Sequence, residues 1–281
     1  MGKVKRVKPN FLGIGSVRGG STWLHNILDS HPSLLLPQRR KELQYFTKYF
    51  NKGEFWYGSF FKNASLDGIE YIGEVTPGYL THSDAPKRIF EFGGIDKFIL
   101  ILRNPVDRSY SHYKWHLRVT GKDISFADFC KQFKKLAIEN SLYYKYLRQY
   151  FRYFDPKCFL ILIFEDVTNN PQRAFDQIGS FLKVDPNLFS NQSKINESII
   201  PKHRKMFSKI HYLTIFFRQM DLDWIPNLAI KFGAKKLFGS SELTLSTIPK
   251  EMRPRLYGQF KEDIADLERL TSIDLSRWKP S

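Results

Sequence analysis

The sequence predicts an α/β fold with a central parallel sheet flanked by helices, and three observations carry that prediction. Short apolar runs alternate with amphipathic stretches at helical spacing, the pattern of parallel strands covered on both faces. The first apolar run breaks into a glycine-rich turn that leads directly into a helical pattern. The chain of 281 residues is 42% hydrophobic and 26% charged, ordinary values for a soluble globular protein. It carries no internal repeat, low-complexity tract or long Gly/Ser linker, so residues 1–281 are expected to form a single domain.

The first strand is expected at Phe11 to Gly15. After the turn, Trp23, Leu24, Ile27 and Leu28 repeat at helical spacing, and His31-Pro32 stops the run because the residue before proline disfavours the helical region. Further strands are expected at Tyr71 to Val75, Lys97 to Leu102 and Phe159 to Phe164. Helices are expected at Pro86 to Phe92, Val106 to Val119, Glu139 to Phe154, Gln172 to Leu182 and Pro249 to Leu270. The stretch 201–239 stands apart, with eight Lys/Arg against two acids among many aromatic residues, and reads as a basic aromatic insertion or flap.

Composition excludes several classes. The longest uninterrupted apolar run is seven residues, Cys158 to Phe164, whereas a membrane-spanning helix needs about 20. The basic start reaches Phe11 without the apolar stretch of a secretion signal, so a cytoplasmic protein is expected. Cys130 and Cys158 have neither CxxC nor metal-ligand spacing and read as free thiols. The net charge of +16 calls for an anionic partner, which composition leaves open among nucleic acid, an acidic membrane face and a phosphorylated or sulfated small molecule.

Three constellations narrow that choice. In Gly15-Ser-Val-Arg-Gly-Gly20-Ser21-Thr22, glycines between strand and helix let backbone N–H groups close around an anion at a helix N-terminus. The turn is P-loop-like: Gly15 and Gly20 keep the GxxxxGK[ST] spacing, but Ser21 stands where the lysine is required and the basic residue is Arg18 instead. A plain tight turn is the alternative. In Leu102-Arg103-Asn104-Pro105-Val-Asp-Arg108-Ser109-Tyr110-Ser111, Arg103 ends a strand and Ser111 follows eight residues on, two turns into the helix that Pro105 opens. The pair could grip a second phosphate, or simply be a surface arginine before a helix. In Arg39-Arg40-Lys41-Glu42, a carboxylate sits among cations; it is either a solvated cluster or a base placed to take a proton. His25, His31 and His112 are rival bases.

Together these stretches resemble the sulfotransferases that use 3′-phosphoadenosine-5′-phosphosulfate (PAPS). Gly15 to Trp23 resembles the family's 5′-phosphosulfate loop, with Arg18 at its basic position, and Arg103 to Ser111 resembles its 3′-phosphate motif. Lys41-Glu42-Leu43-Gln44-Tyr45-Phe46 is similar to a segment of the heparan sulfate N- and O-sulfotransferases and their bacterial relatives, as are residues 53–61 and Gly73 to Tyr79. The likeness covers about residues 10–120, and more weakly reaches 185. It implies a P-loop-like sulfotransferase fold, PAPS as cofactor with PAP as product, and no metal. Arg18, Gly19, Gly20, Ser21, Thr22, Trp23, Arg103 and Ser111 would bind the cofactor, Glu42 would be the general base, and Arg18 would stabilise developing charge. Lys202 and Arg204 stand in for the family's last basic cofactor loop.

The implied acceptor is a glycan, lipid or small molecule; nucleic acid is not expected, and peripheral membrane contact through 201–239 stays open. One departure is Val75, where relatives carry a lysine, so a cation near the acceptor is either absent or supplied from elsewhere. Two rival functions remain at this level: a P-loop kinase or NTPase with Glu165-Asp166 on Mg²⁺, and a non-enzymatic binder of acidic surfaces.

Overall fold

In chain order the helices are α1 (Ser21–Ser30), α2 (Gly53–Gly58), α3 (Ala85–Phe92), α4 (Pro105–Thr120), α5 (Phe126–Gln132), α6 (Lys134–Ala137), α7 (Tyr143–Tyr150), α8 (Phe164–Asn169), α9 (Pro171–Leu182), α10 (Arg204–Gln219), α11 (Trp224–Lys231) and α12 (Met252–Thr271). The strands are β1 (Phe11–Gly15), β2 (Leu34–Leu35), β3 (Tyr71–Val75), β4 (Lys97–Leu102) and β5 (Phe159–Ile163). This computed structural model describes residues 8–61, 66–190, 204–231 and 247–280. The chain divides into two units, residues 1–104 with 143–196 and residues 105–142 with 197–281.

All five strands belong to the first unit and pair in parallel in the order β2-β3-β1-β4-β5. The chain leaves β1 toward β2 on one side, while β4 lies on the other. The crevice between the C-terminal ends of β1 and β4 is therefore the topological switch point, where ligands of open α/β sheets bind. Alternation along β4 shows why both faces are covered. Ile99 and Ile101 join Trp23, Leu24, Ile27 and Leu28 of α1 and Ala174, Phe175 and Ile178 of α9 in one core. Phe98 points the other way, its ring 6.0 Å from Tyr150 of α7 and 4.7 Å from Phe154.

The expected strands are present, with one trimmed: β5 stops at Ile163, and Phe164 opens α8. Strand β2 has only two residues, too few to leave a periodic signal. Helix α9 starts as its sequence directs, with Pro171 in the first turn and the Asn170 side chain accepting from the Arg173 N–H.

The long helix expected from Glu139 to Phe154 is instead a short turn at Glu139–Ser141 followed by α7. Just before the break, in the second unit, the fully buried Arg108 of α4 holds the end of α6 and the turn after it. Its guanidinium donates to the carbonyls of Leu136 (2.5 Å) and Ala137 (2.9 Å) and to the Ser141 hydroxyl. It also meets Nδ1 of His112 at 3.1 Å. The planar guanidinium thereby satisfies carbonyls at the end of α6, and the break itself falls at Leu142, whose φ -82 and ψ 78 are not helical. In the same unit, Arg253 of α12 pairs with Asp107 at 2.6 Å.

Of the stretch 201–239, residues 204–231 form α10 and α11, and the remainder lies outside the described residues. Arg108→Met keeps the apolar stem but leaves the Leu136 carbonyl without the guanidinium, and leaves the Ala137 carbonyl only the Ser109 hydroxyl. At roughly 1–3 kcal/mol per orphaned buried group, the urea midpoint should fall by a readily measured amount.

Candidate active site

The turn after β1 is shaped by close packing. Ser16 donates to the Ile101 carbonyl through both its N–H and its hydroxyl, each at 2.9 Å, which ties the end of β1 to β4. A methyl group on Gly19 would lie 2.6 Å from that same carbonyl and 2.2 Å from the Ser16 hydroxyl, so only glycine fits. Gly20 has φ +103 and caps α1, again a conformation that favours glycine. Arg18 occupies the left-handed region at φ 68. A non-glycine residue held there marks a site worth a functional hypothesis.

Helix α1 begins immediately, with no acidic residue in its first turn and no side chain capping it. The N–H groups of Ser21, Thr22 and Trp23 have no intrahelical acceptor by geometry and point to the same end as the helix dipole. Two details of the sequence reading change. The N–H of Gly19 is not offered to a ligand, because it donates to the Ser16 carbonyl at 2.9 Å; the residue's contribution is its missing side chain. The Trp23 indole is buried against Phe175, stacked at 6.0 Å, so only its backbone can face the loop.

Glu42 comes to this loop through its neighbour. Lys41 donates from Nζ to the Thr22 hydroxyl at 2.7 Å, and the same Nζ lies 3.9 Å from the Glu42 carboxylate. Burial pushes the Lys41 pKa down, the Glu42 charge opposes that, and Arg18 adds to it. Arg18, Thr22, Lys41 and Glu42 thus form one cluster at the C-terminal edge of the sheet. The backbone that carries Glu42 is itself in the left-handed region at Glu42 (φ 60) and Gln44 (φ 54).

What holds that backbone is Glu74 of β3, fully buried. Its carboxylate accepts from the Leu43 N–H (3.3 Å), the Tyr57 hydroxyl (3.2 Å), the Thr76 hydroxyl (2.6 Å) and the Tyr79 hydroxyl (2.5 Å). Two of these hydroxyls accept in turn, Thr76 from the Gln44 N–H at 3.3 Å and Tyr79 from the Tyr45 N–H at 2.9 Å. Three consecutive backbone donors, 43 to 45, therefore end on one carboxylate. Burial raises the pKa of Glu74, and the four hydrogen bonds work against it. Burial and then the Glu74 charge push Tyr57 and Tyr79 well above the usual phenol value, so both remain donors.

Arg103 follows β4. Its guanidinium lies 4.4 Å from the centre of the Phe164 ring, and that ring also faces Gly20, where an added methyl would meet it at 3.2 Å. Phe164 is therefore the wall shared by the loops after β1 and β4. Glu165 accepts from the Asn104 N–H at 3.0 Å, which occupies the carboxylate that the kinase reading would place on Mg²⁺. Among the described residues no group of three or more His, Cys, Asp and Glu could hold a metal ion.

Ser111 is buried in α4, in the other unit from Arg103. Lys202 lies outside the described residues, and Arg204 opens α10.

The rival histidines have structural tasks. His31 is buried, with Nε2 3.0 Å from the Asp185 carbonyl and Nδ1 accepting from the Ser33 N–H. His112 supports Arg108. His25 is pushed down to about 4 by burial and by Lys41, so it is neutral near pH 7 and a weak base. Val75 is buried with its methyls against Gly13, and the cation that reaches the loop is Lys41.

Sequence reading missed Glu74, Phe164 and the reach of Lys41 to Thr22. The signal for Glu74 was present, since a glutamate inside the apolar strand Tyr71–Val75 must find donors when buried. Glu74→Gln turns one acceptor oxygen into a donor, which strands at least one of the four bonded groups. A loss of about 1–3 kcal/mol in denaturant unfolding is expected, with Tyr57→Phe, which removes a donor and leaves no acceptor stranded, costing less.

The chain is 37% identical over 111 residues to the membrane-associated sulfotransferase kil1 of Dictyostelium discoideum, covering 39% of this chain and 23% of that protein. It is 29% identical over 196 residues to the mouse bifunctional heparan sulfate N-deacetylase/N-sulfotransferase 3, covering 63% of this chain and 22% of the relative. The chain thus spans less than a quarter of the length of these relatives. Among solved structures, a sulfotransferase from Alicyclobacillus acidocaldarius superposes with a TM-score of 0.69 at 19% identity, over 98% of this chain and all of that one, which shows a shared fold. Residues 8–214, well over half of the chain, match the sulfotransferase domain, and the chain belongs to that family.

Proposed function

We propose that this chain transfers a sulfuryl group from PAPS to a hydroxyl or amine of a glycan, lipid or small-molecule acceptor. The observation that carries the reading is the Thr22–Lys41–Glu42 arrangement, a carboxylate and a phosphate-type loop joined by one lysine at the β1/β4 switch point. The residues fit the cofactor: Gly19 and Gly20 let the loop pack tightly on Ser16, Ile101 and Phe164, and the groups beside it are cations and helix-end N–H groups.

PAPS, when bound, supplies an activated sulfuryl group whose departing bridging oxygen gains negative charge. Arg18 and the first turn of α1 would hold the 5′-phosphate and meet that charge. Lys41 would supply the second cation, in place of the lysine that relatives carry where this chain has Val75. Glu42 would take the proton from the attacking hydroxyl or amine. Arg103 and Ser111 would bind the 3′-phosphate, a group that 5′-AMP lacks, with Lys202 and Arg204 as further phosphate ligands. A cytoplasmic setting accords with Cys130 and Cys158 being free thiols, as expected where glutathione keeps them reduced.

Two measurements test the reading. Glu42→Gln keeps the shape and removes the base, so turnover of labelled PAPS should fall by about 10²–10⁴-fold with PAP affinity nearly unchanged. A variant retaining most of its rate overturns the role of Glu42. In calorimetry PAP should bind far more tightly than 5′-AMP, and Arg103→Ala should erase most of the difference, a loss of roughly tenfold or more for a charge-assisted contact of about 1.5–3 kcal/mol. Equal affinities for the two nucleotides overturn the 3′-phosphate site. Incubating labelled PAPS with an extract of the source organism identifies the acceptor.

A further inference from the structure

Helix α10 is inverted with respect to an ordinary surface helix. Its inner side meets α4 with polar and aromatic groups: Ser208 is buried, Phe207 lies under the Arg118 guanidinium at 4.9 Å, and His211 sits 6.3 Å from the Trp115 ring. Its outer side is apolar. Met206, Ile210, Leu213, Phe216 and Met220 recur at steps of four, three, three and four residues, one stripe of a helix, and all are exposed, Phe216 at 53%. The pattern continues in α11 with Trp224, 62% exposed, and Leu228 one turn on. Tyr212 is exposed beside the stripe. A row of large apolar side chains of this length facing water marks a contact surface.

The charge around the stripe says what covers it. Residues 204–231, which make up α10, the turn and α11, hold five Lys/Arg and two acids, and of those acids Asp223 is buried in the turn between the helices. Lys209 is exposed on the outer side of α10. A second copy of the chain would bring an equally basic segment against this one, within a protein of net charge +16, and would be repelled. A bilayer containing anionic lipid offers the opposite charge and an apolar interior at the same surface. Exposed Trp, Tyr and Phe suit the boundary between headgroups and acyl chains, and lysines beside them suit the headgroups. No helix among the described residues is long and apolar enough to cross a membrane, so the contact would lie in the plane of the interface.

We propose that α10 and α11 form an in-plane docking surface for an anionic membrane. The surface is independent of sulfuryl transfer and is read without turnover. The test is co-sedimentation of the full chain with vesicles of pure phosphatidylcholine and of phosphatidylcholine mixed with phosphatidylserine. Binding to the mixed vesicles is expected, with little to the neutral ones. A chain this basic also meets anionic vesicles non-specifically, so the deciding arm is the charge-neutral variant Leu213→Ser/Phe216→Ser/Trp224→Ser. All three positions are exposed, so the fold should persist, checked by an unchanged melting temperature, while vesicle affinity falls more than tenfold. Lys209→Glu should weaken binding to mixed vesicles by about fivefold or more, one basic side chain near an anionic surface contributing roughly 1 kcal/mol. The proposal is overturned if the triple variant binds as the wild type does, or if the wild type ignores mixed vesicles. A wild-type dimer in sedimentation velocity that the triple variant converts to monomer also overturns it, assigning the face to a second copy.

Discussion

The Glu74 carboxylate is the constraint on which the candidate site depends. The segment that carries Lys41 and Glu42 has no regular secondary structure of its own, and its backbone is twice in the left-handed region. Such a segment keeps one conformation only if its peptide groups are satisfied by something fixed. Glu74 provides this from the rigid centre of a parallel sheet, one bond directly to Leu43 and two through the hydroxyls of Thr76 and Tyr79. The hydroxyls of Tyr57, Thr76 and Tyr79 all donate inward to the carboxylate, which leaves those of Thr76 and Tyr79 to accept from the backbone. The polarity of the network is therefore consistent only with an acceptor at its centre.

The same sheet places the two anion-facing loops. Ser16 binds the Ile101 carbonyl, which sets the end of β1 against β4, and Phe164 fills the space between Gly20 and Arg103. That ring is available because the chain turns from strand to helix at Ile163 rather than one residue later. Had Phe164 stayed in the strand, its direction would have followed the two-residue alternation and not the loop. Lys41 then spans from the Glu42 segment to Thr22, so the candidate base and the phosphate-type loop are coupled through one side chain.

In the second unit a single buried arginine plays the corresponding part. Arg108 takes two carbonyls and a hydroxyl from residues 136–141, and this fixes the end of α6 and the turn that follows it. Buried carbonyls left unpaired would cost about 1–3 kcal/mol each, which is why a guanidinium at this point holds the stretch in place.

Much of this protein was legible in its sequence. The four longer strands, the helix after the first loop, the glycine turn between them, and the places of Arg18 in that turn and Arg103 at the end of β4 follow from signals that span a few residues: apolar period, turn chemistry, charge and motif spacing. The tertiary structure alone decided the rest. It placed Lys41 on Thr22, Glu74 under residues 43–45, Phe164 between two loops, and an apolar stripe on the outside of α10. These pairs lie from 19 to over 60 residues apart, or depend on which side of a helix the fold turns outward. Local pattern sets what a residue can do, but which partner it meets is settled only when the sheet order brings distant segments together and burial forces each polar group to find one.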